Sequence, residues 1–181
     1  MTELDLLDAM ITKLEDLFRG YTLLNKSGTL QEVKIFAQYI PIPEGLNFNT
    51  RDMTGIKNYR ESDMDSNFPC IVAKLIECED QEERRIDSSR VKMNLLFACY
   101  DDNKLCQGYR DILNMQERVR ENLLIERVIN NQFRLEMPVK TRLLECETWP
   151  VYFGEMSLIW QSGRPVMCKE FAYSMPRIID S

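Results

Sequence analysis

The N-terminal stretch has apolar residues at the spacing of an amphipathic helix. They recur every three or four positions, at Leu4, Leu7, Met10, Ile11, Leu14 and Phe18. Thr2 followed by Asp5 resembles a helix-capping box, and Gly20 is typical of a helix end. The pattern therefore predicts a first helix from about Glu3 to Arg19 with one apolar face.

A second stretch with helical spacing begins at Gly108. Its apolar stripe consists of Ile112, Met115, Val119 and Leu123. This spacing predicts the main helix of the molecule, about 25 Å long, which the polar residues 130–132 are expected to end.

Five segments have the composition or alternation of β-strands. Residues 32–40 are short, β-branched and aromatic-rich, whereas residues 68–78 are almost continuously apolar, as expected for a strand covered on both faces. Residues 91–100, 133–137 and 153–160 alternate apolar and polar positions, and this places Phe133, Leu135 and Met137 on one buried face. The second and third segments are predicted to pair as a hairpin, with the polar residues between them projecting as a loop.

The order of these elements predicts the fold class. We expect an α+β protein with an antiparallel or mixed β-sheet and two main helices packed on one face. Residues 1–162 are predicted to form one domain, in which residues 46–67 are a long loop with the composition of a mobile segment. Residues 163–181 have the mixed composition of a C-terminal arm.

The net charge of the chain limits the kinds of partner that it is expected to bind. The chain has 23 basic and 29 acidic residues, a net charge of −6 and a pI of about 4.9, which argues against a surface built to neutralise phosphates. An acidic surface suits a conduit through which DNA slides without being held. No apolar run approaches membrane-spanning length, and the N-terminal helix does not resemble a signal peptide. We therefore expect a cytosolic chain whose six cysteines are reduced.

Candidate metal or thiol chemistry is weak in this sequence. Cys99 and Cys106 are separated by six residues, whereas structural zinc sites usually place cysteines two to four apart, and the chain has no histidine. Asp101 and Asp102 are better explained as a solvated turn than as an acid–base pair. No nucleophile elbow, P-loop or dinucleotide fingerprint is present. We expect no enzyme activity, no metal and no cofactor.

A charged run in the predicted hairpin loop is a candidate interface. Acidic residues are followed by basic ones in the order Glu79, Asp80, Glu82, Glu83, Arg84 and Arg85. Such a run usually only keeps a protein soluble. It also suits a self-associating ring in which the acids of one subunit meet the arginines of the next.

Several short motifs between Phe68 and Trp160 carry a family resemblance. "YDD" ends a predicted strand, "QGYRDILNMQERV" opens the main helix, and "YFGEM" precedes Trp160. In this order and spacing they resemble the tail terminator (tail completion) proteins of long-tailed bacteriophages. The motif residues expected to be structural are Tyr100, Asp101, Asp102, Gly108, Phe153, Gly154, Glu155, Met156 and Trp160.

The resemblance implies a function and a set of partners. It implies a homohexameric ring that caps the tail tube, stops tube growth and offers a joining surface to the head. The implied partners are further copies of the chain, the tail tube protein and a head connector or head-completion protein, with DNA passing through the lumen without specific binding. The chain would be assembled in the host cytoplasm and reside in the neck of the virion.

The resemblance also implies a place for Tyr109 and Arg110 at the helix start, where they face a neighbour or cap the sheet. Gly108 would permit the turn before the helix. Two alternatives stay open: another neck or head-closure component of the virion, or a cysteine-dependent enzyme or metal protein.

Overall fold

The computed structural model describes residues 2–41, 67–83, 86–144 and 149–163. Arg84, Arg85 and nearly all of the predicted loop at 46–67 and the predicted C-terminal arm at 163–181 lie outside these ranges. Side chains at positions 81–83, 86–88 and 163 also lie outside the description.

Two helices occur where the apolar stripes predict them. Helix α1 spans Glu3–Phe18, and the Asp5 carboxylate accepts a hydrogen bond of 2.8 Å from the Thr2 backbone N–H at its start. Helix α2 spans Tyr109–Ile125. The predicted length of about 25 Å from Gly108 corresponds to seventeen residues, and α2 has 17 residues. Between its end and the polar residues 130–132, Val128–Ile129 form a short strand.

A small hairpin follows α1 and was not predicted. Its strands are β1, Thr22–Leu24, and β2, Leu30–Glu32. The Asn25 side chain holds the turn, because its Oδ1 accepts hydrogen bonds of 3.0 Å from the backbone N–H groups of residues 27 and 29.

The strand predicted over residues 32–40 is divided between two sheets. Glu32 ends β2, and strand β3, Lys34–Ala37, begins two residues later in the large sheet. Val33 lies between them and donates its backbone N–H to the Tyr21 carbonyl at 3.2 Å, so the chain changes sheets at this residue.

The large sheet has six strands. The remaining members are β4, Cys70–Glu83, β5, Ile86–Tyr100, β6, Val128–Ile129, β7, Phe133–Leu143, and β8, Val151–Gly163. Their order is β3-β4-β5-β8-β7-β6, and only β3 and β4 run parallel. The prediction of a mixed sheet in an α+β fold is confirmed.

Both helices pack on one face of this sheet. The buried stripes of α1 and α2 share one hydrophobic cluster with alternate residues of β5 and β8. The strand residues in this cluster include Val91, Met93, Leu95, Phe97, Cys99, Met156, Leu158 and Trp160. The predicted inward faces of these two strands are therefore correct.

The opposite face of the sheet carries a small second cluster at one end. Phe68, Cys70, Val72 and Ala98 are buried there, and the rings of Phe68 and Phe153 meet edge to face at 6.4 Å. The start of β4 is thus buried on both faces, as its continuous apolar run predicts.

The predicted polar loop between β4 and β5 is wrong. The two strands stay paired up to Glu83 opposite Ile86, with one register shift between Leu75 and Glu77. Residues 77–80 are exposed, so this part of β4 buries neither face, and its sequence lacks the apolar alternation by which strands are recognised.

Strand β7 departs from its predicted alternation at Met137. Phe133 and Leu135 are buried as expected, whereas Met137 is 52% exposed. The pairing with β8 shifts register between Glu136 and Lys140, and Pro138 has no N–H for the ladder. This irregularity turns Met137 away from the core.

Candidate assembly surfaces

The turn between β5 and α2 is built by side-chain contacts to the backbone. Asp101 Oδ1 accepts from the Asn103 N–H at 2.9 Å, and Asn103 Oδ1 accepts from the Leu105 N–H at 3.0 Å. Asp102 is exposed, and the half-buried Tyr100 packs beside the second cluster. The predicted solvated turn of Asp101 and Asp102 is what the structure contains.

Position 108 needs a glycine because there is no room for a side chain, and not because the backbone conformation is unusual. Its φ of −56° is helical, so the expectation that it permits an unusual turn is wrong. A Cβ at this position would lie 2.3 Å from Tyr152 Cδ2 and 2.9 Å from Asp101 Cβ. Gly108 therefore allows the start of α2 to lie directly on β8.

Gly154 makes the second close approach between α2 and β8. A Cβ there would lie 2.4 Å from Ile112 Cγ2 and 2.6 Å from Gln116 Nε2. Gln116 is buried and donates to the carbonyls of Glu155 at 3.2 Å and Arg142 at 3.1 Å. Gly108 and Gly154 thus allow the same helix, α2, to approach the same strand, β8.

Glu155 is the centre of a polar network on the face opposite the helices. Its side chain is 9% exposed and accepts from Asn94 Nδ2 and Arg142 Nε, each at 2.5 Å. Asn94 Oδ1 is buried and has no hydrogen-bond partner among the residues that the structure describes. Sequence reasoning missed Asn94, Gln116 and Arg142, because they lie in separate elements and no motif connects them.

The other motif residues on β8 have structural positions. Met156 and Trp160 are fully buried in the main cluster, and Phe153 is half-buried against the second one. Glu155 is the member of this group that carries charge on the open face.

Tyr109 and Arg110 are at the surface of the first turn of α2. Tyr109 is 37% exposed, Arg110 is exposed, and the Arg110 Nε donates to Tyr109 Oη at 3.4 Å. Both are accessible to a partner.

The acidic candidates occupy the far end of the same sheet. Glu79 and Asp80 are exposed on β4, and Glu82 and Glu83 continue that strand. Glu79 lies opposite Arg90, ten residues before Tyr100 on β5, which corresponds to about 33 Å of extended strand. The structure therefore does not bring the acidic arm and the Tyr109 surface together within one molecule.

The cysteines in the described ranges differ in their exposure to solvent. Cys70 and Cys99 are buried, and burial raises the pKa of each thiol to about 12. Cys78 and Cys106 are exposed. Within residues 2–41, 67–83, 86–144 and 149–163, no three potential metal ligands among cysteine, aspartate and glutamate are grouped together. No helix in that part of the chain is long and apolar enough to cross a membrane.

Comparison with known proteins gives one structural similarity to report. No protein-family model matches the chain, and no curated protein matches it significantly. A chain in the solved structure described as the virion of a native gene transfer agent particle aligns with a TM-score of 0.38 and 8% identity, over 83% of this chain and 84% of that one. A TM-score at this level does not establish a shared fold, so the similarity carries no argument about function.

Proposed function

We propose that the chain is a structural virion protein that forms a ring on the end of a phage tail tube. The ring ends tube polymerisation and provides the surface that joins tail to head. Its partners are further copies of itself, the tail tube protein and a head connector or head-completion protein. The proposal assigns no catalytic residue and no cofactor.

The ordered motifs of the tail terminator resemblance carry this proposal. The helix motif and the β8 motif contact each other through Gly108 beside Tyr152 and through Gly154 beside Gln116. Motifs that are distant in sequence thus belong to one packed unit, which supports reading them together and not as separate chance matches.

The arrangement of exposed groups gives further support. A ring subunit needs one rigid body with separate surfaces for its neighbours and for the structures above and below it. The sheet and its helices form the rigid body. The acidic arm and the Tyr109 surface lie at opposite ends of the sheet, so they are two separate candidate surfaces.

Deleting the gene and examining the particles tests the proposal. We expect tails of irregular and excessive length that are not joined to heads, and an antibody against the chain should label the head–tail junction of wild-type particles in electron micrographs. Tails of normal length that fail to join heads would instead assign the chain to another neck component. Normal particles without any label would overturn the virion proposal.

A further inference from the structure

The open face of the sheet changes charge from one side to the other. Lys92 alternates with residues that face the helices, so it and its cross-strand partners Glu77 and Ile159 face the open side. By the same register, this face carries acids on β4, at Glu77 and Glu79, and bases on β7, at Arg134, Lys140 and Arg142. The two exceptions have partners: Lys74 on β4 lies over the Tyr39 ring, and Glu136 on β7 binds Arg90.

Several of these charges form no ion pair in the part of the chain that the structure describes. Glu77, Glu79, Arg134 and Lys140 are exposed, and none forms an ion pair with any residue in the described ranges. The acids and the bases are separated by three strand spacings, about 14 Å, which exceeds the screening length of about 8 Å at physiological salt. They therefore do not neutralise each other inside one copy.

Two arginines on the same face, by contrast, form ion pairs within one copy of the chain. Arg90 binds the Glu136 carboxylate through Nε at 3.1 Å and through a terminal nitrogen at 2.6 Å. Arg142 binds Glu155, yet its side chain is still 70% exposed, so part of its guanidinium remains open to a partner.

The spacing of the acidic residues on β4 matches the spacing of the basic residues on β7, of which Lys140 forms no ion pair within the described residues and Arg142 is 70% exposed despite its pair with Glu155. Glu77 and Glu79 are two residues apart on one face of β4, and Lys140 and Arg142 are two residues apart on one face of β7, which places each pair about 7 Å apart. A cleft of about 710 Å³ beside Lys140 and Arg142 also borders Lys92, so it offers space and positive charge to acidic side chains.

The outer edge of β7 is open over the same residues. Strand β6 pairs only with Phe133 and Arg134, so within the described part of the chain residues 139–143 have no strand on their outer side. An edge of this kind accepts an additional extended segment.

We propose that a second copy of the chain docks on this basic side, with its acidic β4 side against β7 of the first. Glu77 and Glu79 of one copy then meet Lys140 and Arg142 of the next. The contact is heterologous, because each copy offers one acidic and one basic side, and its repetition closes a ring or extends a filament. The inference rests on the ring of the proposed function and identifies its subunit contact, with β7 and not Arg84 and Arg85 as the basic partner.

Charge reversal on each side tests this contact. The acidic-side variant is Glu77→Lys/Glu79→Lys, and the basic-side variant is Arg134→Glu/Lys140→Glu. Each should raise the concentration needed for half-association at least about tenfold, because like charges now face each other. Light scattering across protein concentration measures this directly.

An equimolar mixture of the two variants provides the decisive comparison. In the mixture each reversed side finds a complementary one, so association should return to near the wild-type concentration range. A matched control, Glu15→Lys/Lys104→Glu, reverses one exposed acid on α1 and one exposed base in the turn before α2, and should associate as the wild type does.

The folding of the variants is checked separately. Glu77 lies opposite Lys92 and Glu79 opposite Arg90, so reversing either acid places like charges across a strand pair. The neutral variant Glu77→Gln/Glu79→Gln avoids that repulsion, and with an unchanged thermal midpoint its weaker association would not be explained by unfolding. Variants that associate like the wild type, or a mixture that does not recover, would overturn the proposed contact while the ring itself stands. A wild-type chain that stays monomeric up to about millimolar concentration would overturn both.

Discussion

At the scale of single residues, close contacts with neighbouring side chains explain why positions 108 and 154 are glycines. Gly108 has an ordinary helical φ, and both Gly108 and Gly154 lie where any Cβ would be closer than 3.0 Å to a neighbouring side chain. Absence of a side chain, and not backbone freedom, is what these positions require. The sequence shows that glycine is present but not which of these two reasons applies.

Substituting Gly154 by alanine tests this reason. The added methyl group would overlap Ile112 Cγ2 and Gln116 Nε2, so we expect the free energy of unfolding to fall by about 1–3 kcal/mol. Denaturant unfolding measures the change. Ser157→Ala, on the same strand but facing the open side, should cost less than about 0.5 kcal/mol. A Gly154→Ala variant as stable as the Ser157 control would contradict the close contact.

The two buried thiols give the molecule a dependence on alkaline pH. The folded pKa of about 12 for Cys70 and Cys99 lies above the ordinary value of 9.0, and burial is the largest cause for each. The unfolded chain therefore loses these protons first as pH rises. The stabilising contribution is fully present below about pH 9 and is lost between about pH 9 and 12.

Measuring unfolding by urea at pH 8 and pH 10.5 tests this linkage. The free energy of unfolding should fall with rising pH, with each buried thiol contributing up to about 1.4 kcal/mol per pH unit. Cys70→Ala/Cys99→Ala should show a shallower fall than the wild type, since other titrating groups are common to both. Cys78→Ser removes an exposed thiol and should keep the wild-type slope. Equal slopes in all three proteins would refute the assignment.

At the scale of elements, one arginine joins the two helices. Arg118 of α2 donates from Nε to the Leu17 carbonyl near the end of α1 at 2.9 Å. Its guanidinium also lies 5.8 Å from the Phe18 ring centre and 5.4 Å from that of Tyr21. It therefore satisfies a carbonyl at the end of α1 and covers the aromatic pair that follows.

Replacing Arg118 by methionine keeps its length and removes these polar contacts. We expect a loss of about 1–2 kcal/mol in the free energy of unfolding. Arg120→Met is the matched control on the same helix. Within the described residues Arg120 forms its ion pair with exposed Glu117 one turn away, so its loss should leave the free energy of unfolding nearly unchanged. Equal effects of the two substitutions would show that Arg118 does not connect the helices.

The β4–β5 arm shows how exposure limits prediction at this scale. Where β5 lies under the helices, every second residue is apolar and the strand is recognisable. Beyond Val91 the same strand pair continues, none of the residues there whose burial is described is buried, and its polar residues resemble a loop. Pairing through backbone hydrogen bonds leaves no apolar pattern in the side chains.

At the scale of the whole molecule, the proposed contact between copies is electrostatic. Exposed charge pairs weaken as salt shortens the screening length from about 10 Å at 0.1 M to about 3 Å at 1 M. We expect a mass near six times 21.4 kDa at low salt and a shift toward smaller species at 1 M NaCl, measured by light scattering. A mass that rises with salt would indicate an apolar contact and contradict the charged one.

The sequence by itself determined the α+β class, the two helices and the inward faces of β5 and β8. These features depend on local periodicity, because a helix or strand beside a core must place apolar residues at the spacing of its own geometry. Strand alternation likewise predicted that Gly154, Met156 and Trp160 share one face of β8, and all three are buried.

Only the tertiary structure decided which distant residues meet. The network of Asn94, Arg142 and Glu155 joins three strands, and the division of charge between β4 and β7 depends on a strand order in which β8 lies between β5 and β7. Pairing order and register are set by packing over the whole sheet, and the register shift between Glu136 and Lys140 leaves Met137 exposed although Phe133 and Leu135 on the same strand are buried. No local pattern records such choices, so the surface proposed for assembly is visible only once the strands are in place.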